Sequence, residues 1–405
     1  MESKAFQEAF MALAAGRSLP GRMTAATHQG TRGIFLCFAS LLALLLVPIT
    51  TNIIIITTTT TYYVAPTGSD GNPGTQAAPF RTIKKAASVV KPGSTVHVAP
   101  GTYAESIITT VSGTASARIR YVSDTKWGAK IVPIQGATEM WRADGGYTDI
   151  DGFEFDGKNS TSIIEGVFLT GGNSAVMNNH VHHIAENSVC NGQGGAGLNA
   201  DQGRGAAFNN YDFTGNVVHN IGGSCGYFHG IYQSSSGTVK NNLIYANAQG
   251  IRMGHDAHNV KTINNTVFSS FGTGIEYGGC DGAYTSNNCP FVGIAIHNNI
   301  VYDNGIGIDG PVAAYDSRSN TFHNNIIFRN TIDFRISSVA LPQVVGTVTA
   351  DPQFINYIRA GGGDYRLKIT SPAIDKGLAT YAPSIDIDGI ARPRGKGIDT
   401  GAYEY

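Results

Sequence analysis

The chain carries little charge and no excess of either sign. Only 14% of its 405 residues are charged, and 28 basic residues nearly balance 29 acidic ones, which leaves a net charge of −1. A nucleic-acid-binding protein needs a basic stripe that neutralises phosphates, so the composition excludes that class of partner. A modest charge with 42% hydrophobic residues instead indicates a folded, water-soluble body.

Cysteine is scarce as well, and its spacing matches no zinc motif. Of five cysteines, Cys37 falls in an apolar leader, which leaves Cys190, Cys225, Cys280 and Cys289. Four thiols allow three pairings, and sequence alone cannot choose among them. We expect structural disulfides. Cys280–Cys289 and Cys190–Cys225 would each close a long loop between repeated strands.

The chain has a single long apolar run, residues 34–49. Its sixteen residues are fewer than the roughly 20 that span a bilayer, and they lie nearer the length of a signal-peptide core. Met23 as the true start would leave an ordinary cationic leader. We predict that residues 1–61 form a leader followed by a Thr- and Ile-rich spacer, and that the protein is secreted to the extracellular space; a retained N-terminal membrane anchor is the alternative.

A repeated asparagine motif dominates the second half of the chain. Each copy has alternating apolar residues, a polar Asn and another apolar run, and the copies return every 23 to 37 residues. The aligned asparagines are Asn179, Asn216, Asn242, Asn265, Asn299 and Asn325. The apolar period of 2 excludes helical repeats, and an irregular, Gly-rich β repeat is typical of a solenoid. We therefore predict an all-β, right-handed parallel β-helix in which stacked Asn side chains form a buried ladder at a left-handed bend.

The N-terminal part of the body has a recognisable order of elements. The sequence YYVAPTGSDGNPGT…PFRTIKKA…PGSTVHVAPGTYAE predicts a strand at Tyr62–Pro66, a helix over Thr82–Val90 and a first solenoid strand at Val96–Val98. This opening resembles that of secreted right-handed β-helix proteins, notably polysaccharide lyase family 9. The resemblance covers most of residues 62–405 and implies that the helix caps the open end of the solenoid.

The C-terminal part has a different composition. We assign the β-helix to residues 62–350 and a loop-rich C-terminal cap to residues 351–405, which are dense in Pro, Gly and Asp. Asp386, Asp388 and Asp399 in this cap are predicted to form turns.

A second motif, Gly-Ile-Xaa, lies between the asparagine copies. It occurs at 230–232, 250–252, 274–276 and 307–309. If the isoleucines face inward, alternation turns each third residue outward. The sequence therefore predicts an exposed column of Tyr232, Arg252, Glu276 and Asp309, which Asp333 could continue.

The groups near this column suit the cleavage of a uronic-acid polymer by β-elimination. That reaction needs a cation for the C6 carboxylate, a base for the C5 proton and an acid for the leaving oxygen. Arginine grips carboxylates bidentately, and His and Tyr exchange protons. We predict catalytic roles for Arg252 as base or carboxylate clamp, and for His255, Tyr232 and His229. The predicted substrate-binding residues are Glu276, Asp309, Asp256, His258, Arg204 and Asp201.

The family resemblance extends to this segment. AQGIRMGH at 248–255 is similar to the strand that carries the catalytic lysine of family 9 lyases, with Arg252 at the lysine position. The resemblance also implies a calcium site built from aspartates of preceding turns. Those turns here, GLNADQGRG and HGIYQSSS, contain only Asp201. The calcium cluster is therefore not recognisable, and the cofactor stays open.

Four further histidines are predicted to be structural, and no metal site is predicted. They lie in the asparagine-ladder strands, and we expect no third ligand near the adjacent pair within them. The four are His180, His182, His183 and His219.

These observations predict a secreted, monomeric protein that binds a polysaccharide in a groove. The favoured activity is a lyase that cleaves an acidic polysaccharide by β-elimination. A glycoside hydrolase that uses Glu276 and Asp309 as paired carboxylates, or a non-catalytic glycan-binding adhesin, are the alternatives. The sequence does not indicate which polysaccharide is bound.

Overall fold

Almost all of the regular secondary structure in the described part of the chain is β-strand. The computed structural model describes residues 60–186, 190–200, 210–255, 257–278, 292–310, 318–336 and 342–405. Within these ranges, strands β1 to β31, numbered in chain order, form three parallel sheets and one antiparallel pair, and the one helix is α1 (Ile83–Ala87). Each strand of a sheet pairs with the strand one turn later. This is the predicted right-handed parallel β-helix.

The strands of each sheet follow one another along the solenoid axis. In the described residues the first sheet contains β1 (Thr61–Val64), β2 (Thr95–Val98), β5 (Ile119–Ser123), β8 (Thr148–Asp151), β11 (Ala175–Met177), β14 (Tyr211–Thr214), β17 (Gly237–Lys240), β20 (Val260–Ile263), β23 (Ala295–His297), β26 (Thr321–His323) and β29 (Gln343–Val345). The second sheet contains β3 (Gly101–Ala104), β6 (Ala129–Val132), β9 (Glu154–Asp156), β12 (His180–His182), β15 (Val217–His219), β18 (Leu243–Tyr245), β21 (Thr266–Phe268), β24 (Ile300–Tyr302) and β27 (Ile326–Phe328). The third sheet contains β4 (Ile107–Thr109), β7 (Glu139–Ala143), β10 (Glu165–Leu169), β13 (Gly195–Ala200), β16 (Phe228–Gln233), β19 (Gln249–Met253), β22 (Thr273–Tyr277), β25 (Ile306–Gly310) and β28 (Ile332–Ile336). The antiparallel pair is β30 (Phe354–Asn356) and β31 (Asp364–Leu367).

The Gly-Ile-Xaa triplets are successive layers of the third sheet. Their isoleucines, Ile231, Ile251, Ile275 and Ile308, are fully buried in the core, as predicted. The glycine is needed because successive strands approach closely: a Cβ at Gly250 would lie 2.2 Å from the carbonyl oxygen of the next layer's glycine.

The predicted asparagine ladder runs along the corner between the first and second sheets. All six aligned asparagines are fully buried. Each carboxamide oxygen accepts hydrogen bonds from the preceding layer; that of Asn265, for example, accepts from the Asn242 amide at 3.0 Å and from its Nδ2 at 2.9 Å. The left-handed bend falls on the residue before the ladder asparagine, at Asn178, Gly215, Asn241, Asn264, Asn298 and Asn324. The two members of each Asn pair thus differ in role: the first forms the bend and the second forms the ladder.

Helix α1 lies within the predicted helical segment and is shorter than it. Its N-cap is Thr82, whose hydroxyl accepts a hydrogen bond from the Lys85 amide at 3.1 Å. The Glu105 carboxylate accepts two more amide hydrogen bonds at the same end, at 2.9 and 3.0 Å. Ile83 and Ala86 are fully buried in the main core together with Val96 of β2. The helix therefore closes the core at the first strands.

The residues after β29 fold back over earlier turns of the solenoid. They lie along the outer surface of the solenoid, where the first asparagine of the last four pairs donates through Nδ2 to a C-terminal carbonyl oxygen. These bonds join Asn241 to Ile385 (2.6 Å), Asn264 to Asp399 (2.8 Å), Asn298 to Leu378 (2.8 Å) and Asn324 to Lys376 (2.7 Å). Tyr365 of β31 packs against Phe268 of the second sheet, with ring centroids 4.5 Å apart. The segment thus covers several turns rather than the open end alone.

The aspartates of the C-terminal segment bind its own backbone. Asp386 accepts hydrogen bonds from the Asp388 and Ile390 amides at 2.9 and 2.7 Å, and Asp399 accepts one from the Tyr405 amide at 2.7 Å. The predicted turn role is therefore confirmed for Asp386, while Asp399 fixes the chain end.

The apolar run at residues 34–49, with Cys37, lies outside the described residues, so the prediction of a leader and spacer over residues 1–61 stays a prediction. In the part of the chain that the structure describes, no helix is long and apolar enough to cross a membrane.

Candidate active site

The predicted column forms on the outer side of the third sheet. Tyr232 pairs with Arg252, Arg252 with Glu276, and Glu276 with Asp309 in four consecutive strands. The predicted register of these four residues is confirmed. The geometry follows from the alternation about the buried isoleucines, which turns each next side chain away from the core.

The column extends differently from expectation at both ends. Asn199 precedes Tyr232 in the register, and Arg335 follows Asp309. The suggestion that Asp333 continues the column is wrong, because Asp309 pairs with Arg335 and Asp333 lies two positions before that residue. Its carboxylate instead accepts a hydrogen bond from the Asn330 Nδ2 at 2.9 Å.

The column is largely buried rather than exposed, which corrects the second part of that prediction. Tyr232 and Glu276 are 8% exposed, Asp309 is 2% exposed, and only Arg252 is half-buried. The cause is pairing along the column: Arg252 Nη1 lies 2.6 Å from Glu276 Oε1, and Arg335 binds both oxygens of Asp309. Burial raises the pKa of the Glu276 carboxyl, an effect that Arg252 opposes and Asp309 reinforces.

A cleft of about 380 Å³ opens above one end of the column. Its lining residues are Glu165, Gly194, Gly195, Asn199, Gly226, Tyr227, His229, Tyr232, Arg252 and His255. The four residues predicted to be catalytic, Arg252, His255, Tyr232 and His229, therefore meet in one cavity. Their roles in catalysis stay a prediction.

His229 lies in the cleft but is 6% exposed. Its ring centroid is 5.1 Å from that of Tyr232. Burial, together with the nearby charge of Arg252, lowers the pKa of His229 well below its ordinary value. No described residue provides a hydrogen-bond partner for its Nδ1 atom. Burial and the nearby guanidinium therefore both favour the neutral imidazole of His229, which lies beside the phenol of Tyr232.

His255 forms the other side of the Tyr232 pocket. It follows β19 in a left-handed backbone conformation, with φ of 45°. Its ring meets that of Tyr232 edge to face, with centroids 5.6 Å apart. Tyr232 thus lies between two imidazoles, one buried and one partly exposed.

Two cleft residues escaped the sequence analysis. The Glu165 carboxylate accepts hydrogen bonds from the Asn199 Nδ2 at 2.9 Å and from the Ala196 amide at 3.1 Å. Asn199 is the third member of a triplet in which Leu198 replaces the isoleucine, and Glu165 directly precedes a triplet in which Val167 replaces it. A search for Gly-aliphatic-Xaa would have found Asn199 as the next member of the column.

Other predicted binding residues do not line this cleft. Glu276 and Asp309 lie further along the column, and His258 lies just before β20. Asp201, Arg204 and Asp256 lie outside the described residues, so their predicted roles cannot be placed.

The described residues do not supply a calcium site at the cleft. Calcium prefers six to eight oxygen ligands, usually several of them carboxylates. Glu165 is the only carboxylate among the lining residues, and it is engaged by Asn199 and the Ala196 amide. Asp201, the one aspartate that the sequence analysis connects with calcium, lies outside the described residues.

A disulfide borders the cleft. Cys190 and Cys225 are bonded, which resolves one of the pairings left open by the sequence. Gly194 and Gly195 follow the first cysteine, and Gly226 and Tyr227 follow the second, and all four line the cleft. Cys280 and Cys289 lie outside the described residues.

The four histidines predicted to be structural have carboxylate neighbours that the sequence analysis did not find. Burial lowers the pKa of His180, His182 and His219 to about 4 in each case. Glu154 and Asp156, one turn earlier, lie close enough to complete groups of three ligand atoms. The premise that no third ligand lies near His182 and His183 is therefore wrong.

Comparison with known proteins agrees with this fold. Residues 62–228 match a family model described as the Pel9A-like right-handed beta helix region. The chain resembles the Pel9A-like β-helix proteins. The crystal structure of pectate lyase Pel9A superimposes with a TM-score of 0.54 at 17% identity, covering 86% of this chain and 97% of that one.

Two further solved structures share the architecture. One is named rhamnogalacturonan lyase (TM-score 0.52, 18% identity, 74% of this chain and 92% of that one), and the other glycoside hydrolase (TM-score 0.53, 8% identity, 71% and 96%). At these identities the likeness concerns the fold. No curated protein matches the chain in sequence.

Proposed function

We propose that this protein acts on polysaccharides and cleaves an acidic, uronic-acid-containing polymer by β-elimination in the cleft of the third sheet. Three solved structures that share its fold are named pectate lyase, rhamnogalacturonan lyase and glycoside hydrolase. The observation that carries the proposal is the convergence of one guanidinium, one neutral buried imidazole and one phenol in a single cavity. These are the three kinds of group that the reaction requires.

Arg252 serves as the carboxylate clamp rather than as the base. Its ion pair with Glu276 at 2.6 Å favours the charged guanidinium, which has no lone pair to accept a proton. Arg252 lines the cleft and is half-buried, so a substrate carboxylate can approach its planar fork. Bound there, the C6 carboxylate is partly neutralised and the neighbouring C5 proton becomes more acidic.

His229 and Tyr232 then move the protons. The lowered pKa of His229 favours the unprotonated imidazole, whose free lone pair accepts the C5 proton. As the C4–O4 bond breaks and the C4–C5 double bond forms, Tyr232 or His255 donates a proton to the departing oxygen. The ring centroids of His229 and His255 lie 5.1 and 5.6 Å from that of Tyr232, so the proton donors and the acceptor are close together in the cleft.

A hydrolase is the second candidate, and one observation favours it. Burial raises the pKa of Glu276, as a general acid requires, and Asp309 follows in the next strand. Against it, both carboxylates are bound by arginines and neither lines the cleft. A purely glycan-binding role needs no neutral base, yet the cleft contains one.

We further propose that the protein functions outside the cytosol as a monomer. The Cys190–Cys225 disulfide supports an oxidising compartment, because such bonds are rare in reducing cytosol.

One assay separates the three functions. The purified protein is incubated with homogalacturonan, rhamnogalacturonan, alginate and glycosaminoglycans, with and without a chelator. Ultraviolet absorbance reports unsaturated uronate ends, and a colorimetric assay reports reducing ends. A lyase raises both signals and a hydrolase raises only the second. Binding without either signal would identify a glycan-binding protein and refute the lyase proposal.

A further inference from the structure

A compact group of imidazoles and carboxylates lies on the outer side of the second sheet. Glu154 pairs with His180, and Asp156 pairs with His182, across β9 and β12. His182 in turn pairs with His219 of β15. The parallel register therefore stacks these side chains in two short columns that flank the buried residues Phe155 and Val181. We call Glu154, Asp156, His180, His182, His183 and His219 the histidine face.

The corner after β12 adds the residue that completes a site. His183 has a left-handed backbone, with φ of 57°. This conformation recurs at the same corner in later turns, at Asn220, Ala246, Ser269 and Asp303, so it belongs to the fold. Its effect here is to bring two consecutive histidine side chains together, with His182 Nδ1 and His183 Nδ1 2.6 Å apart.

Three potential ligand atoms converge at this corner. Asp156 Oδ1 lies 3.3 Å from His183 Nδ1 and 3.5 Å from His182 Nδ1. Two donors about 2.0–2.1 Å from a tetrahedral zinc ion lie roughly 3.4 Å apart, so two of the three separations already match and the third needs only a small opening. Lone pairs that face one another at these distances repel unless a proton or a cation lies between them.

We propose that Asp156, His182 and His183 bind a divalent first-row transition-metal ion, with Zn²⁺ as the best match. Imidazole nitrogen with one carboxylate oxygen is a ligand set that Zn²⁺ accepts, whereas Ca²⁺ and Mg²⁺ prefer oxygen alone. His183 is partly exposed, which gives the ion a path from solvent. This site is independent of the cleft and of the proposed lyase activity.

The neighbouring contacts explain why this triad is preferred to the group formed by Glu154, His180 and His182. The ammonium of Lys130 lies 2.7 Å from Glu154 Oε1 and would repel a metal cation there. The Nε2 atom of His180 is engaged by His219 Nε2 at 2.8 Å. Lys130 also approaches Asp156 from the side of Oδ2, at 3.4 Å. The other oxygen, Oδ1, is the one directed at the two histidines.

The next turn supplies a natural template for a mild variant. There the same two positions are His219 and Asn220, with Nδ1 and Oδ1 2.6 Å apart. His183→Asn therefore reproduces a pair that the fold already contains. Asparagine also tolerates the left-handed backbone, so the corner is preserved while one ligand nitrogen is removed.

The test uses the full protein without a polyhistidine tag. Equilibrium dialysis against Zn²⁺, read by elemental analysis, should find one tightly bound ion per chain, and Co²⁺ should give a visible absorption band of a low-symmetry site. His183→Asn and Asp156→Asn should each weaken Zn²⁺ binding by at least about tenfold. His323→Asn removes a half-buried histidine from the first sheet and should leave the affinity unchanged.

Several outcomes would overturn the proposal. One is a wild-type protein that retains no ion; another is an affinity that His183→Asn leaves intact. An equal loss in the His323→Asn control would place the binding elsewhere. If Asp156→Asn fails to fold by circular dichroism, His183→Asn alone decides the matter.

Discussion

The cleft of the third sheet and the histidine face of the second sheet use the same scaffold in different ways. The cleft draws on four successive strands and on the loops beside them, and encloses about 380 Å³. The histidine face draws on strands and one corner, and its ligand atoms are only 2.6–3.5 Å apart. The first has room for a sugar, and the second has room for a single ion.

The difference shows how a solenoid separates stability from chemistry. Inward residues and the asparagine ladder repeat from turn to turn because stacking requires it. Outward residues in the same layers are free of that requirement, so one side presents Arg252 and Tyr232 and another presents His182. Adjacent layers then hold unlike groups at fixed spacing, about 4.8 Å per layer.

The largest expected effect is the loss of the clamp. Arg252→Ala should reduce the rate on the acidic polysaccharide by about 10²–10³-fold, because a preorganised cation no longer meets the carboxylate. Arg252→Lys should recover part of the rate, since it restores the charge without the planar fork. Arg120→Ala, which alters an exposed arginine of the first sheet, is the control. Full activity of Arg252→Ala would show that the cleft is not the active site.

The disulfide should matter more to the cleft than to the histidine face. Cys190→Ser combined with Cys225→Ser opens a loop of 35 residues and should lower the free energy of unfolding by about 3 kcal/mol. The rate on polysaccharide should fall further than the affinity for Zn²⁺, because residues beside both cysteines line the cleft. Urea unfolding and the two functional assays measure this. A larger loss of Zn²⁺ affinity than of rate would show that the disulfide supports the histidine face more than the cleft.

The pH profile should reflect the buried base. The pKa of His229 is lowered, so it stays neutral as the pH falls through 6.5, the ordinary histidine value. The rate should be level from neutral pH past that point, then fall by up to about tenfold per pH unit below the shifted pKa. The same shift contributes stability that is present above pH 6.5 and lost on acidification. A half-maximal rate at or above pH 6.5 would argue against His229 as the base.

The smallest expected effect is the influence of one region on the other. His183→Asn should change the rate on polysaccharide by no more than roughly twofold, which corresponds to about 0.5 kcal/mol in the activation free energy. The reason is that the energetic effects of substitutions at distant sites are close to additive. The measurement is the ultraviolet assay in the presence and absence of Zn²⁺. A strong dependence on the metal would mean that the two regions are coupled.

The sequence predicted the repeating parts of this molecule well, for a physical reason. Stacked layers require side chains that alternate with a period of two residues and that lie in register from turn to turn. The positions of Ile251 and Asn265 can therefore be predicted, because the same residue types recur in each repeat. The register of Tyr232, Arg252 and Glu276 follows from the same rule. Their burial does not, because it depends on ion pairs that form only when the layers stack.

The parts that were missed lack recurrence. Glu165 meets Asn199 across 34 residues, and its turn replaces the motif isoleucine with Val167. Asp156 lies 27 residues before His183, in a turn whose sequence resembles the others only loosely. Because the turns differ in length, the sequence separation of such neighbours does not predict their contact. The contact forms because the two residues lie in adjacent layers.

The C-terminal segment has a consequence for how the molecule comes apart. Turns that contact only their neighbours could peel from the end one at a time. Here a single stretch of chain is bonded to Asn241, Asn264, Asn298 and Asn324, so each of these layers can separate from the stack only if its bond to that stretch also breaks. The four turns that contain these asparagines should therefore unfold together, as one cooperative unit stabilised by the C-terminal segment.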